Sequence, residues 1–67
     1  MSAWLDQVFE AEEADKGNVL RRSISDVETF ASRQELLDEC RRRDYHLIET
    51  GNQFVVICNS GVIKIHC

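Results

Sequence analysis

The sequence has 67 residues and a net charge of -4, and 43% of its side chains are hydrophobic. So short a chain allows one small domain with a thin core, because it buries only ~60% of its unfolded surface. The apolar content argues against full disorder, and no apolar run approaches the ~18 residues of a membrane span. Without a basic, apolar leader, and with an odd number of cysteines, we expect a cytoplasmic protein with reduced thiols and no membrane contact.

Residues 1–17 are predicted to form an acidic amphipathic helix or arm. Five acidic side chains and one lysine lie in residues 1–16, so this segment carries the whole net charge. Its apolar residues follow helical spacing over residues 3–15, with Ser2 as the N-cap. They are Trp4, Leu5, Val8 and Phe9. The acidic face is either a solvated surface or a contact for a basic partner.

Residues 18–31 are predicted to be an extended connector that contains one strand or one helical turn. Residues 32–44 are predicted to be a second helix, because Ser32 and Glu35 have the spacing of a capping box. Arg41, Arg42 and Arg43 end this helix, where positive charge suits the helix dipole. The same three arginines are also the candidate contact for nucleic acid.

Three antiparallel strands are predicted over residues 45–50, 53–58 and 62–67. Gly51 is expected at the first central position of a type II′ turn, and Gly61 at a left-handed position in a second hairpin. The first turn places Ile48 opposite Val55 and gives the sheet two apolar faces. We expect the second helix to cover the face of Ile48, Val55, Ile57, Ile63 and Ile65.

The opposite face of the predicted sheet then needs a cover, which could be the N-terminal helix of the same chain, a second copy or a foreign partner. The residues expected to bind this partner share an apolar character. They are Trp4, Leu5, Val8, Phe9, Leu47, Phe54 and Val56. The sequence thus indicates a self-associating protein-interaction module, and the expected assembly is a homodimer. The alternatives are a nucleic-acid-binding regulator that uses the three arginines and an inhibitor that acts through the acidic helix.

No motif in the sequence predicts catalysis. His46 and His66 are expected on opposite sheet faces, and Cys40, Cys58 and Cys67 have no spacing typical of zinc ligands. No glycine-rich phosphate loop is present, and so short a chain has little room for a ligand pocket. We therefore expect no enzyme activity, no metal site and no cofactor.

The segments ELL at 35–37, YHLI at 45–48 and GNQ at 51–53 resemble the small RNA-cleaving toxins of the HicA type. The resemblance covers residues 35–66 and implies a double-stranded-RNA-binding-domain-like fold, with a helix followed by a three-stranded sheet. In that family a histidine needed for cleavage follows the glycine turn, whereas Gln53 stands here. The family ends with a second helix that this chain lacks. The acidic N-terminal helix of this chain, in turn, has no counterpart in the family. The resemblance therefore supports the α+β fold class of a single domain, residues 1–67, and not an RNase activity.

Overall fold

The computed structural model describes residues 2–67, which form four helices and a three-stranded antiparallel sheet. This arrangement confirms the predicted α+β class. The helices are α1 (Ala3–Phe9), α2 (Glu12–Asp15), α3 (Ile24–Phe30) and α4 (Arg33–Arg43). The strands are β1 (Val19–Ser23), β2 (His46–Glu49) and β3 (Gln53–Ile57), and their order in the sheet is β1-β3-β2.

Serine side chains begin three of the helices. Ser2 Oγ accepts a hydrogen bond from the Leu5 N–H at 3.0 Å, as the sequence predicted. Ser32 Oγ accepts from the Glu35 N–H at 3.1 Å, which confirms the N-cap of α4. A third such cap at Ser23 begins α3, which the sequence analysis did not anticipate. Each cap satisfies a backbone N–H that has no partner within its helix.

The predicted helix over residues 3–15 is two short helices. Ala11 adopts an extended conformation between α1 and α2, so the chain turns after Phe9. The turn allows Phe9 and Ala14 both to be buried in the same core. Gly17 then ends the helical segment at a positive φ of 73°, a conformation that glycine adopts without steric cost.

The predicted connector, residues 18–31, contains a complete strand and a seven-residue helix instead of one turn or strand. β1 pairs antiparallel with β3, with Leu20 opposite Val56. The third strand was expected at residues 62–67, and this prediction is wrong because those residues have no regular structure. Once β3 pairs with β2, it has a single free edge, and β1 occupies that edge.

The first predicted hairpin has the expected register, with Ile48 opposite Val55 and His46 opposite Ile57. The predicted turn type is wrong, because among the glycines only Gly17 has a positive φ in the described chain. The turn is closed instead by the Thr50 N–H, which donates to the Gln53 carbonyl at 2.8 Å. The second hairpin does not form, and Gly61 is therefore not a left-handed loop residue.

All four helices contribute to one core that lies on a single face of the sheet. The buried helix residues are Leu5, Val8, Phe9, Ala14, Val27, Leu36 and Cys40. From the sheet they meet Leu20, Phe54 and Val56, together with Cys58 just after β3. The helices therefore cover the face opposite to the one we expected α4 to cover. The described residues form two layers, and none of their helices lies on the second face of the sheet.

Candidate interaction surface

The uncovered sheet face is apolar in its middle. Strand pairing places on this face Val19, Arg21 and Ser23 of β1, Gln53, Val55 and Ile57 of β3, and His46 and Ile48 of β2. Val19 is 47% exposed and Ile48 is 40% exposed, and Val55 and Ile57 between them are half-buried. Contiguous apolar surface of this kind is typical of a binding site in a soluble protein. We call these eight residues the open face.

A second apolar feature adjoins one end of the open face. Among residues 62–67, Val62 is 88% exposed, Ile65 is 85% exposed and Ile63 is 38% exposed. This segment alternates β-branched residues with Lys64 and His66, which is typical of a strand. The 62–67 segment thus has the sequence of a strand and, in this structure, no strand partner.

Three hydrogen bonds fix the point from which the 62–67 segment departs. Asn59 Nδ2 donates to the Gly17 carbonyl at 2.9 Å, and the Gly61 N–H donates to Asn59 Oδ1 at 2.9 Å. His46 Nε2 lies 2.6 Å from the Gly61 carbonyl. Because a carbonyl only accepts, Nε2 carries the proton in this contact. The segment therefore starts beside His46, at the end of the sheet where β2 begins and β3 ends.

The residues predicted to bind a partner lie mostly inside the chain's own core. Leu5, Val8, Phe9, Phe54 and Val56 are buried, and Trp4 and Leu47 pack against them partly buried. Of the three covers considered, the chain's own N-terminal helix is the one observed. This placement corrects the predicted interface, because buried side chains offer no surface to a partner.

One aromatic pair remains at the surface on the helix side. Trp4 stacks on Phe30 with ring centroids 5.5 Å apart, and Phe30 is 53% exposed. Phe30 is not among the residues predicted to bind a partner, because it lies in the segment predicted to be a connector. Its helical spacing from Val27 was the available signal.

The three candidate arginines for nucleic acid differ in their surroundings. Arg42 and Arg43 both bind the carboxylate of Glu39, whose side chain is only 2% exposed. Arg43 also lies over the ring of Phe9, with its guanidinium carbon 4.7 Å from the centroid. Arg41 is exposed and makes no ion pair among residues 2–67. Two of the three charges thus neutralise a buried carboxylate, a role that the sequence analysis did not assign to Glu39.

Hydrogen bonds from Arg42, opposed by burial and assisted by Arg43, hold the pKa of Glu39 below its ordinary value.

A shallow recess along α4 is lined by Glu35, Asp38, Glu39 and Arg42. The three carboxylates that line the recess lie on two consecutive turns of α4. No second feature of the described residues identifies a ligand for it.

The five acidic residues of the N-terminal segment all stay exposed. Glu12 forms an ion pair with Lys16 at 2.8 Å across one helical turn. Such exposed pairs contribute little to stability. The acidic surface considered for an inhibitor is thus accessible, while the apolar stripe on the same helices is not.

The cysteines and histidines do not converge. Cys40 and Cys58 are buried free thiols and Cys67 is an exposed one. Burial, together with the neighbouring Cys58 and Glu39, raises the pKa of Cys40 to about 11. Burial also raises the pKa of Cys58. Within residues 2–67, no three side chains of His, Cys, Asp or Glu are grouped so that they could hold a metal ion.

No protein-family model matches this sequence, and comparisons with curated proteins and with solved structures found no similar protein. The resemblance to HicA-type toxins stays a prediction. Over residues 35–66 the structure has one helix and two strands, and the third strand precedes α3 and α4. Gln53 begins β3 and is exposed. None of the helices in the described chain has the length and apolar character needed to cross a membrane.

Proposed function

We propose that this protein is a small, non-catalytic protein-interaction module that associates with a second copy of itself through the open face. The observation that carries the proposal is the placement of all four helices on one side of the sheet. Val19, Ile48, Val55 and Ile57 are thereby left without a covering helix from residues 2–67 of their own chain. Association would remove this apolar surface from water, at about 25 cal/mol per Å².

The charges near the open face do not favour a nucleic-acid contact. Arg21 is the single charged residue among the eight of the open face, and the four apolar residues lie in its middle. A nucleic-acid surface needs several cations free to reach phosphates, whereas Arg42 and Arg43 are bound to Glu39 on the helix side. The exposed Arg41 alone makes a weak electrostatic footprint.

Multi-angle light scattering across a concentration series tests this proposal. The wild type should reach twice the monomer mass, and Ile48→Glu should shift the chain to the monomer, because it places a charge within the apolar contact. Phe30→Glu is the matched control, since Phe30 is a similarly exposed apolar residue on the helix side. Circular dichroism of each variant verifies the fold. A wild type that stays monomeric at every concentration overturns the proposal.

A further inference from the structure

We infer that the 62–67 segment of one copy adds as an antiparallel strand to the outer edge of β2 in a second copy. This inference rests on the proposed self-association and adds to the open face a second contact, at the edge of the sheet. The sheet has two edge strands, β1 and β2, and an edge strand offers unpaired N–H and C=O groups to any chain that can align with it. The surroundings of the two edges select β2.

The outer edge of β1 is obstructed by its own arginines. Ladder hydrogen bonds alternate along a strand, and the Cys58 N–H donates to the Asn18 carbonyl at 2.9 Å. The peptide groups of Arg21 consequently point outward, and the Arg21 carbonyl already accepts from Arg22 Nη1 at 2.7 Å. Charged side chains on an edge also disfavour the approach of another strand.

The outer edge of β2 is accessible. The Thr50–Gln53 hydrogen bond sets the alternation on this side, so that the peptide groups of Leu47 and Glu49 point away from β3. The structure gives β2 one strand neighbour, β3. Ile48 and Glu49, in the second half of the strand, are exposed. An added strand would form its ladder with Leu47 and Glu49.

One antiparallel register satisfies both charge and apolar pattern. If Lys64 lies opposite Glu49, then Ile65 lies opposite Ile48 and extends the open face, while His66 lies opposite Leu47. Moving the strand by two residues would place Lys64 opposite the partly buried Leu47 in one direction, and opposite Gly51, which has no side chain, in the other. Moving it by one residue would place Lys64 opposite Ile48. Glu49 already accepts from Arg33 Nη1 at 2.9 Å, and a carboxylate has acceptor sites for a second cation.

The geometry favours a segment from another copy over the segment of the same chain. Cys58 and Asn59 hold the chain on the side of β1, through their bonds to Asn18 and Gly17. A position outside β2 lies two strand spacings from β3, roughly 10 Å. The chain reaches the beginning of β2 only at Gly61, and from there it can run along β2 only in the parallel direction. An antiparallel strand must enter at the Glu49 end, which a second copy can do.

A charge exchange between copies tests this pairing directly. Lys64→Glu places two carboxylates opposite each other at every contact, and Glu49→Lys places two ammonium groups there. Each variant alone should dimerise about two- to thirtyfold more weakly, the range expected from two cross-strand pairs. A mixture of the two restores opposite charges at both contacts of the heterodimer. With one variant labelled with ¹⁵N, native mass spectrometry should show heterodimers well above half of all dimers.

Lys16→Glu mixed with Glu49→Lys is the control, because Lys16 lies in the N-terminal segment and should give random pairing. Amide hydrogen exchange supplies a second measurement on the wild type. The Lys64 and His66 amides should exchange slowly and the Ile63 and Ile65 amides fast, since the first two face the ladder of Leu47 and Glu49.

The outcomes separate this inference from the proposed function. A monomeric wild type overturns both. A wild-type dimer that Ile48→Glu disrupts, with random pairing in the charge-exchange mixture, overturns the strand addition alone and leaves the open face as the interface. The strand addition is also overturned if each variant associates weakly and mixing the two does not restore association. A second copy cannot restore a pairing that lies within one chain.

Discussion

The carboxylate of Glu39 is buried in contact with Arg43, whose Nε donates to Glu39 Oε1 at 2.6 Å. Arg42 binds the same carboxylate from one turn along the helix. Burying a carboxylate costs free energy unless it is paired with a positive charge and hydrogen-bonded. Arg42 and Arg43 provide both the charge and the hydrogen bonds for Glu39. The arginine triplet at the end of α4 therefore has a structural task in addition to its favourable position at the helix C-terminus.

Removing Arg43 should destabilise the fold. Arg43→Gln removes a charge-assisted hydrogen bond to Glu39 and the contact with the Phe9 ring, and we expect a loss of about 1–3 kcal/mol. Urea unfolding followed by tryptophan fluorescence measures this change. Arg41→Gln is the matched control and should alter stability by less than about 0.5 kcal/mol, because Arg41 is exposed. Equal effects of the two substitutions would contradict the role assigned to Glu39.

Stability should fall in acid in a manner that depends on Glu39. Its pKa is lowered in the folded state, so its contribution is fully present above the ordinary carboxyl pKa of ~4.3 and is lost as the pH falls through the lower, folded value. Comparing unfolding free energies of the wild type and Glu39→Gln between pH 7 and pH 3 isolates this contribution. The difference between the two proteins should shrink with acid. A constant difference would show that the carboxylate charge is irrelevant.

The three thiols should react with a thiol reagent in two classes. Cys67 is exposed and should react quickly with a disulfide reagent in the native protein. Cys40 and Cys58 are buried and their pKa values are raised, so little thiolate is present at neutral pH and both should react only on unfolding. Counting the modified thiols by mass spectrometry with and without urea gives the answer. Rapid native modification of Cys40 would contradict its burial.

The identity of the third strand can be tested by truncating side chains. Leu20→Ala should cost about 2–5 kcal/mol, since Leu20 lies in the core at 4% exposure. Val62→Ala should change the stability of the monomer by less than about 0.5 kcal/mol, because Val62 is 88% exposed. Thermal unfolding at low protein concentration keeps association out of the comparison. A larger effect at Val62 would favour the sheet predicted from sequence.

Local signals in the sequence were sufficient to predict those helices and strands whose ends are determined by residues close by in the chain. Ser2 and Ser32 cap their helices as predicted, because an N-cap bond spans only three residues. The register of β2 and β3 was also predictable, since a two-residue turn leaves one alignment of the flanking strands. The apolar stripe of the N-terminal helix was recognised, although its burial within the same chain was one of three open alternatives.

The tertiary structure decided which strand pairs with β3 and which face of the sheet the helices cover. Residues 19–23 and 62–67 both have strand-like composition, and local preference does not choose between them. β1 occupies the free edge of β3 because Leu20 there joins the core beneath the helices, while the Cys58–Asn18 hydrogen bond extends the pairing. Both faces of the β2–β3 hairpin are apolar, so the pattern of its residues does not indicate which face the helices cover. The helices cover one face. The open face and the 62–67 segment therefore remain as the candidate interaction surface.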